Sequence, residues 1–145
     1  MTELENINAG EKIALNIMYD GTLFHGWQVQ NNARSVQGTL QDGLEKVLGF
    51  RPDVTGVSRT DSGVHANNYV CHILKEGVNI PPERLTAALN SHLRDSGIAV
   101  KNVEIKDADF HARYSCTAKE YIYKIWNARY TNPFLRDKAW FYPME

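Results

Sequence analysis

The densest chemistry in this sequence lies in one short stretch, Ser58-Arg59-Thr60-Asp61-Ser62-Gly63-Val64-His65-Ala66. A guanidinium, a carboxylate, three hydroxyls, a glycine and an imidazole follow one another at the end of a predicted strand. Arg59 and Asp61 are two positions apart, so extended backbone sets both side chains on one face. A neighbouring guanidinium keeps a carboxylate ionised even where it is partly buried. Gly63 permits a tight turn and close approach of backbone to a ligand. A held, ionised carboxylate in a shaped loop suits a nucleophile or a general base. The same residues also fit a β-turn pinned by a local Arg–Asp pair, and spacing alone leaves both readings open.

Other chemistries have less support. His25, His65, His72, His92 and His111 show no H-E-x-x-H or comparable ligand spacing, so no metal site is expected. His72 falls in a predicted strand, where a satisfied core or edge residue is the simpler reading. Cys71 and Cys116 belong to no C-x-x-C pair, so small packed thiols are expected rather than a zinc site or a disulfide framework. There is no G-x-G-x-x-G and no P-loop, so no nucleotide cofactor is expected. Phe24, Trp27 and Tyr121 offer rings that can stack on bases, or simply pack.

A scaffold has to hold these residues in place. Residues 12–20 alternate, with Ile13, Leu15, Ile17 and Tyr19 on one face, which predicts a half-buried strand. Residues 21–34 hold Gly21, Gly26 and two adjacent asparagines, and form a loop long enough to suspect function. Ser35 can cap a helix over 36–48, where Val36, Leu40, Leu44, Val47 and Leu48 recur at helical spacing. Strands are expected over 53–60 and 66–74. Pro82 opens a second helix with a stripe of Leu85, Ala88, Leu89 and Leu93. Residues 98–106 form a fourth strand. The order β-α-β-β-α-β predicts an α+β, ferredoxin-like (RRM-like) antiparallel sheet with both helices on one face. A further strand is expected over 117–127, with Tyr121, Tyr123 and Ile125 sharing a face. The chain then divides into a flexible N-terminus (1–11), a ferredoxin-like domain carrying the 58–66 segment (12–108), and a connection, strand and further start over 109–145. The bulky tail, with Pro133, Phe134, Trp140, Phe141 and Tyr142, is expected either to dock back or to lead into more chain.

The chain has 145 residues, 43% hydrophobic and 23% charged, which excludes wholesale disorder. No apolar run approaches the roughly 18–20 residues that span a bilayer. The polar, acidic start has no apolar stretch of a secretory signal, so the cytoplasm is expected. Net charge is −1 but unevenly spread: residues 110–140 carry six Lys/Arg (Arg113, Lys119, Lys124, Arg129, Arg136, Lys138) against Glu120 and Asp137. Such a patch can meet phosphates or simply be a solvated face.

The 58–66 segment resembles the signature loop of the TruA family, tRNA pseudouridine synthase I, usually R-T-D-A-G-V-H-A. Tyr19-Asp20-Gly21-Thr22-x-Phe24-x-Gly26-Trp27-Gln28-x-Gln30 and Ser35-Val36-Gln37 resemble the family's opening strand and loop. Phe110-His111-Ala112-Arg113 and Thr117-Ala118-Lys119-x-Tyr121-x-Tyr123 resemble its later segments, in the same order. The resemblance implies conversion of uridine to pseudouridine in the anticodon stem-loop of tRNA, without metal or organic cofactor. It implies that Asp61 attacks the nucleoside at the sugar C1′ or the base C6, or helps to form a glycal. It implies that Arg59 pairs with Asp61 and helps displace the target base, and that Tyr121 stacks on the flipped uracil. Arg113, Lys119, Lys124 and Arg129 lie where tRNA phosphates would need partners. A base must leave the stack before its chemistry begins, at a few kcal/mol, and stacking on an aromatic ring offsets about 1–3 kcal/mol of that.

Ser58 stands where the family commonly has Gly, and Ser62 where it has Ala. Family members have two related α/β halves and form homodimers that hold tRNA across both subunits. This chain resembles the first half and the crossing into the second, so a fragment of a longer enzyme is expected. The alternative is a non-catalytic ferredoxin-like RNA-binding module. The K/R-G-F/Y-G/A-F-V-x-F/Y sheet motif of such modules is absent. A third reading has Arg59 and Asp61 merely pin a turn.

Overall fold

The computed structural model describes residues 10–144. The flexible N-terminus expected over 1–11 thus lies, up to position 9, outside the described residues. The main elements are β1 (Lys12–Tyr19), α1 (Val36–Leu48), β2 (Thr55–Gly56), β3 (Ala66–Leu74), α2 (Pro82–Leu93) and β4 (Ile98–Lys106). Alternation in β1 decides where the core sits. Leu15 and Ile17 are fully buried and Ile13 and Tyr19 nearly so. β1 pairs antiparallel with β3 on one side and with β4 on the other, and β2 pairs antiparallel with β3. The sheet therefore runs β2-β3-β1-β4.

Both helices bring their apolar stripes to the same side of this sheet. Val36, Leu40 and Leu44 of α1 and Leu85, Leu89 and Leu93 of α2 join Ile13, Leu15, Ile17, Cys71 and Ile73 in one buried cluster. Each buried Leu contributes about 1.5–3 kcal/mol relative to exposure. The helix ends follow local chemistry. The Ser35 hydroxyl accepts from the Gly38 N–H at 3.1 Å, and Pro82 occupies the first turn of α2, where its missing N–H costs nothing.

The opposite face of the sheet is crossed by the chain leaving β4. His72 pairs with Ala14, hence points away from Leu15. Its Nδ1 accepts the Ala112 N–H at 3.0 Å. Lys12, 1% exposed, donates to the Ala108 carbonyl at 2.8 Å and to the Gly10 carbonyl at 3.1 Å. Two strand side chains thus tie the segment around 108–112 to the sheet.

Two expected strands are corrected. The strand over 53–60 shrinks to Thr55–Gly56. The chain beyond it is turned away by other partners, described below. The strand over 117–127 is reduced to β5 (Ile125–Trp126), which pairs in parallel with β6 (Trp140–Phe141) in a separate two-stranded sheet. Residues 117–124 form no strand. Alternation there is real in the sequence, but a strand needs a neighbour to take its backbone hydrogen bonds, and among the described residues only the Lys124 carbonyl, which accepts the Trp140 N–H at 2.7 Å, meets a strand. Tyr121, Ile122 and Tyr123 are accordingly exposed. The long loop over 21–34 is a loop as expected, with one 3-10 turn at Gly21–Leu23.

Candidate active site

The residues after β2 are held by three anchors on one side. The Tyr69 hydroxyl donates to the Ser58 carbonyl. The Trp27 N–H donates to the Thr60 carbonyl at 3.1 Å. The hydroxyls of Tyr19 and Thr60 are 2.8 Å apart. Burial raises the pKa of both tyrosines, so both phenols keep their protons. The Thr60 hydroxyl is thus turned inward to Tyr19, with Arg59 and Asp61 on either side of it in the chain. Both are exposed.

The anchors themselves are packed. The Trp27 and Tyr69 rings lie 4.5 Å apart and those of Tyr19 and Tyr69 5.6 Å apart. Phe24 and Trp27 are each 3% exposed. These two rings are therefore wedges beneath the loop and offer no face to a base; of the aromatic candidates only Tyr121 is open to solvent. The close approach of the two loops depends on Gly26. Its φ is +84°, and a Cβ there would lie 2.6 Å from the Thr60 carbonyl oxygen, so a side chain would push the loops apart. Beyond Asp61 the chain turns back at once, with the Val64 N–H donating to the Asp61 carbonyl at 3.2 Å.

A cleft of about 380 Å³ lies above these anchors, lined by His25, Gln28, Gln30, Arg59, Thr60, Asp61 and Ser62. The structure thus brings Arg59 and Asp61 to one cleft. Among the described residues they make no ion pair with each other, in contrast to the expected contact. His25, Gln28 and Gln30 form the facing wall. Sequence reading singled them out only within a longer motif or a histidine count; the signal was their place in a long loop broken by Gly26. Gln30 is fixed by a bond from its Nε2 to the His25 carbonyl at 2.6 Å. Two carboxamides and an imidazole beside a carboxylate and a guanidinium give a polar cleft rich in hydrogen-bonding groups.

The remaining candidates lie elsewhere. Tyr121 is 67% exposed and does not line the cleft. Arg113, Lys119, Lys124 and Arg129 are exposed on the segment after β4. Arg113 follows Ala112, which His72 holds. Cys71 is fully buried, and burial pushes its thiol well above the usual range, so it is no nucleophile. Among the described residues no three His, Cys, Asp or Glu side chains cluster to hold a metal ion, and no helix is long and apolar enough to cross a membrane.

Residues 16–115, which carry the end of β1, the cleft and the start of the crossing segment, match the family model for tRNA pseudouridine synthase. The chain belongs to the tRNA pseudouridine synthase family. The family match takes in Arg59, Asp61 and Arg113 and ends before Lys119, Tyr121, Lys124 and Arg129. The tRNA pseudouridine synthase A of Ruminiclostridium cellulolyticum is 45% identical over 128 residues, covering 88% of this chain and 51% of that protein. That of Aquifex aeolicus is 47% identical over 128 residues, covering 87% and 52%. That of Lacticaseibacillus casei is 47% identical over 130 residues, covering 89% and 52%. The chain spans about half the length of these curated relatives.

Proposed function

We propose that this chain carries the reactive carboxylate of a pseudouridine synthase acting on uridines of tRNA. The single observation that carries the reading is Asp61, outward-facing and solvent-open in a polar cleft, on a loop whose backbone is tied down at Ser58 and Thr60. In this reading Asp61 is the nucleophile. The bond from uracil N1 to C1′ breaks, the base turns and C5 joins C1′; the C5 proton leaves to solvent, N1 takes up a proton from solvent and the Asp61 carboxylate is regenerated, so atoms balance as an isomerisation. Arg59, which lines the same cleft as Asp61, helps displace the base. Tyr121 stacks on the uracil once its segment closes over the cleft. Arg113, Lys119, Lys124 and Arg129 meet phosphates.

The finer architecture belongs to the same proposal. The strand order β2-β3-β1-β4 with both helices on one face supports a ferredoxin-like arrangement for residues 12–108. Residues 109–145 lead into a second half of the kind implied by relatives twice as long, and the longer enzyme works as a cytoplasmic homodimer. The test is tritium release from tRNA labelled at uridine C5, by this chain and by its Asp61→Asn variant. Release by the parent and none by the variant supports the reading, and release by neither marks the chain as a fragment whose cleft needs the missing half. Release by Asp61→Asn at the parent rate overturns the assignment of the nucleophile.

A further inference from the structure

Outside the cleft, the most directed set of polar contacts lies where the 58–66 loop enters β3. The Nδ1 atom of His65 accepts the Gly21 N–H at 2.9 Å. Its Nε2 atom lies 2.5 Å from the Asp137 carbonyl oxygen. An imidazole that accepts at one nitrogen carries its proton on the other, so this ring is neutral and Nε2–H donates to Asp137. The Asp20 carboxylate lies 3.2 Å from Nδ1, but that nitrogen is already an acceptor. The cation that Asp20 meets is Lys138, at 2.7 Å. Lys138 and the Thr22 hydroxyl and N–H hold the Asp20 carboxyl down at about 2.

Adjacent residues thus supply a carbonyl to His65 and an ammonium to Asp20. Asp137 takes a φ of +64°, a backbone state that side-chain-bearing residues rarely adopt, and it aims its carbonyl at the ring. From the other side, the Val64 carbonyl sits against Gly21 so tightly that no Cβ would fit. The turn after β1, the end of the loop and the turn at 137–138 therefore meet at one imidazole. The pin lies one tight turn from Asp61, whose carbonyl accepts the Val64 N–H.

We propose that His65 is a positioning residue that fixes the loop carrying Asp61 between the Asp20-Gly21 turn and a strap formed by Asp137 and Lys138. The proposal rests on the reading of Asp61 as the reactive carboxylate only for its purpose. The geometry is tested without turnover, so its failure is distinct from that of the Asp61→Asn experiment.

The test is ¹⁵N NMR of the chain and three variants. His65→Asn places an acceptor near the position of Nδ1, His65→Ala removes both contacts, and Lys138→Met removes only the ammonium. At about pH 8 the ring nitrogens should show the Nε2–H tautomer. Exchange of the Gly21 amide should quicken about tenfold in His65→Ala and return to within about threefold of the parent in His65→Asn. Amide order parameters over 61–64 should fall from about 0.85 toward about 0.6 in His65→Ala and in Lys138→Met. An Nδ1–H tautomer in the parent overturns the proposal. So does unchanged Gly21 exchange in His65→Ala, or unchanged loop order in Lys138→Met. If His65→Ala does not fold, the parent tautomer and Lys138→Met decide.

Discussion

Mild acid should weaken this fold through His72. The ring is 5% exposed and its Nδ1 accepts the Ala112 N–H. Burial, with His111 and Lys12 nearby, lowers its pKa from 6.5 to about 4. A protonated ring would be a buried cation and would have no lone pair left for Ala112. The folded value lies below the unfolded one, so the unfolded chain binds the proton more readily. The stability linked to His72 is complete above pH 6.5, erodes as pH falls below it, and is lost as pH passes about 4. The full loss is about 3 kcal/mol, and lowering the pH from about 7.5 to about 5 removes about 2 kcal/mol of it. Asp20, held down at about 2, stays ionised throughout this window and does not confuse the result. Urea unfolding of the parent and of His72→Asn at both pH values gives the answer. The asparagine can accept from Ala112 but gains no proton. The parent should lose about 2 kcal/mol more than the variant on acidification. Equal losses would refute the linkage, and with it the idea that His72 anchors the segment leading to Arg113 by accepting a hydrogen bond.

Gly26→Ala forces a side chain onto left-handed backbone and against the Thr60 carbonyl; it should cost about 2–4 kcal/mol in urea unfolding and loosen the cleft. Tyr69→Phe removes the hydroxyl that holds the Ser58 carbonyl; a loss of about 1–2 kcal/mol is expected, with faster exchange of amides over 58–61. Replacing Lys119 and Lys124 by Ala, singly and together, should lower the slope of log affinity for tRNA against log salt by about one per lysine. An unchanged slope would place those lysines off the phosphate path.

The regular elements were legible in the sequence because their signals are local. Alternation in β1, the Ser35 cap with its apolar stripe, and Pro82 at the opening of α2 each express a preference that neighbouring residues settle among themselves. β3 and β4 ended where expected, bounded by turn residues. The grouping of Arg59 with Asp61 was legible too, since a spacing of two on extended chain puts both on one side. The 53–60 and 117–127 segments show the limit of such reading. Both have strand-like composition, yet a strand exists only where a neighbour accepts its backbone groups. Over 58–60 those groups bond instead to Tyr69 and Trp27, and over 117–123 none bonds to a described strand. The roles of Phe24 and Trp27 as wedges, the cleft wall of His25, Gln28 and Gln30, and the meeting of His65 with Gly21 and Asp137 had no local signature. They join residues up to 72 positions apart, and chain closure over such spans is fixed by packing around the shared core, not by any preference the residues carry alone.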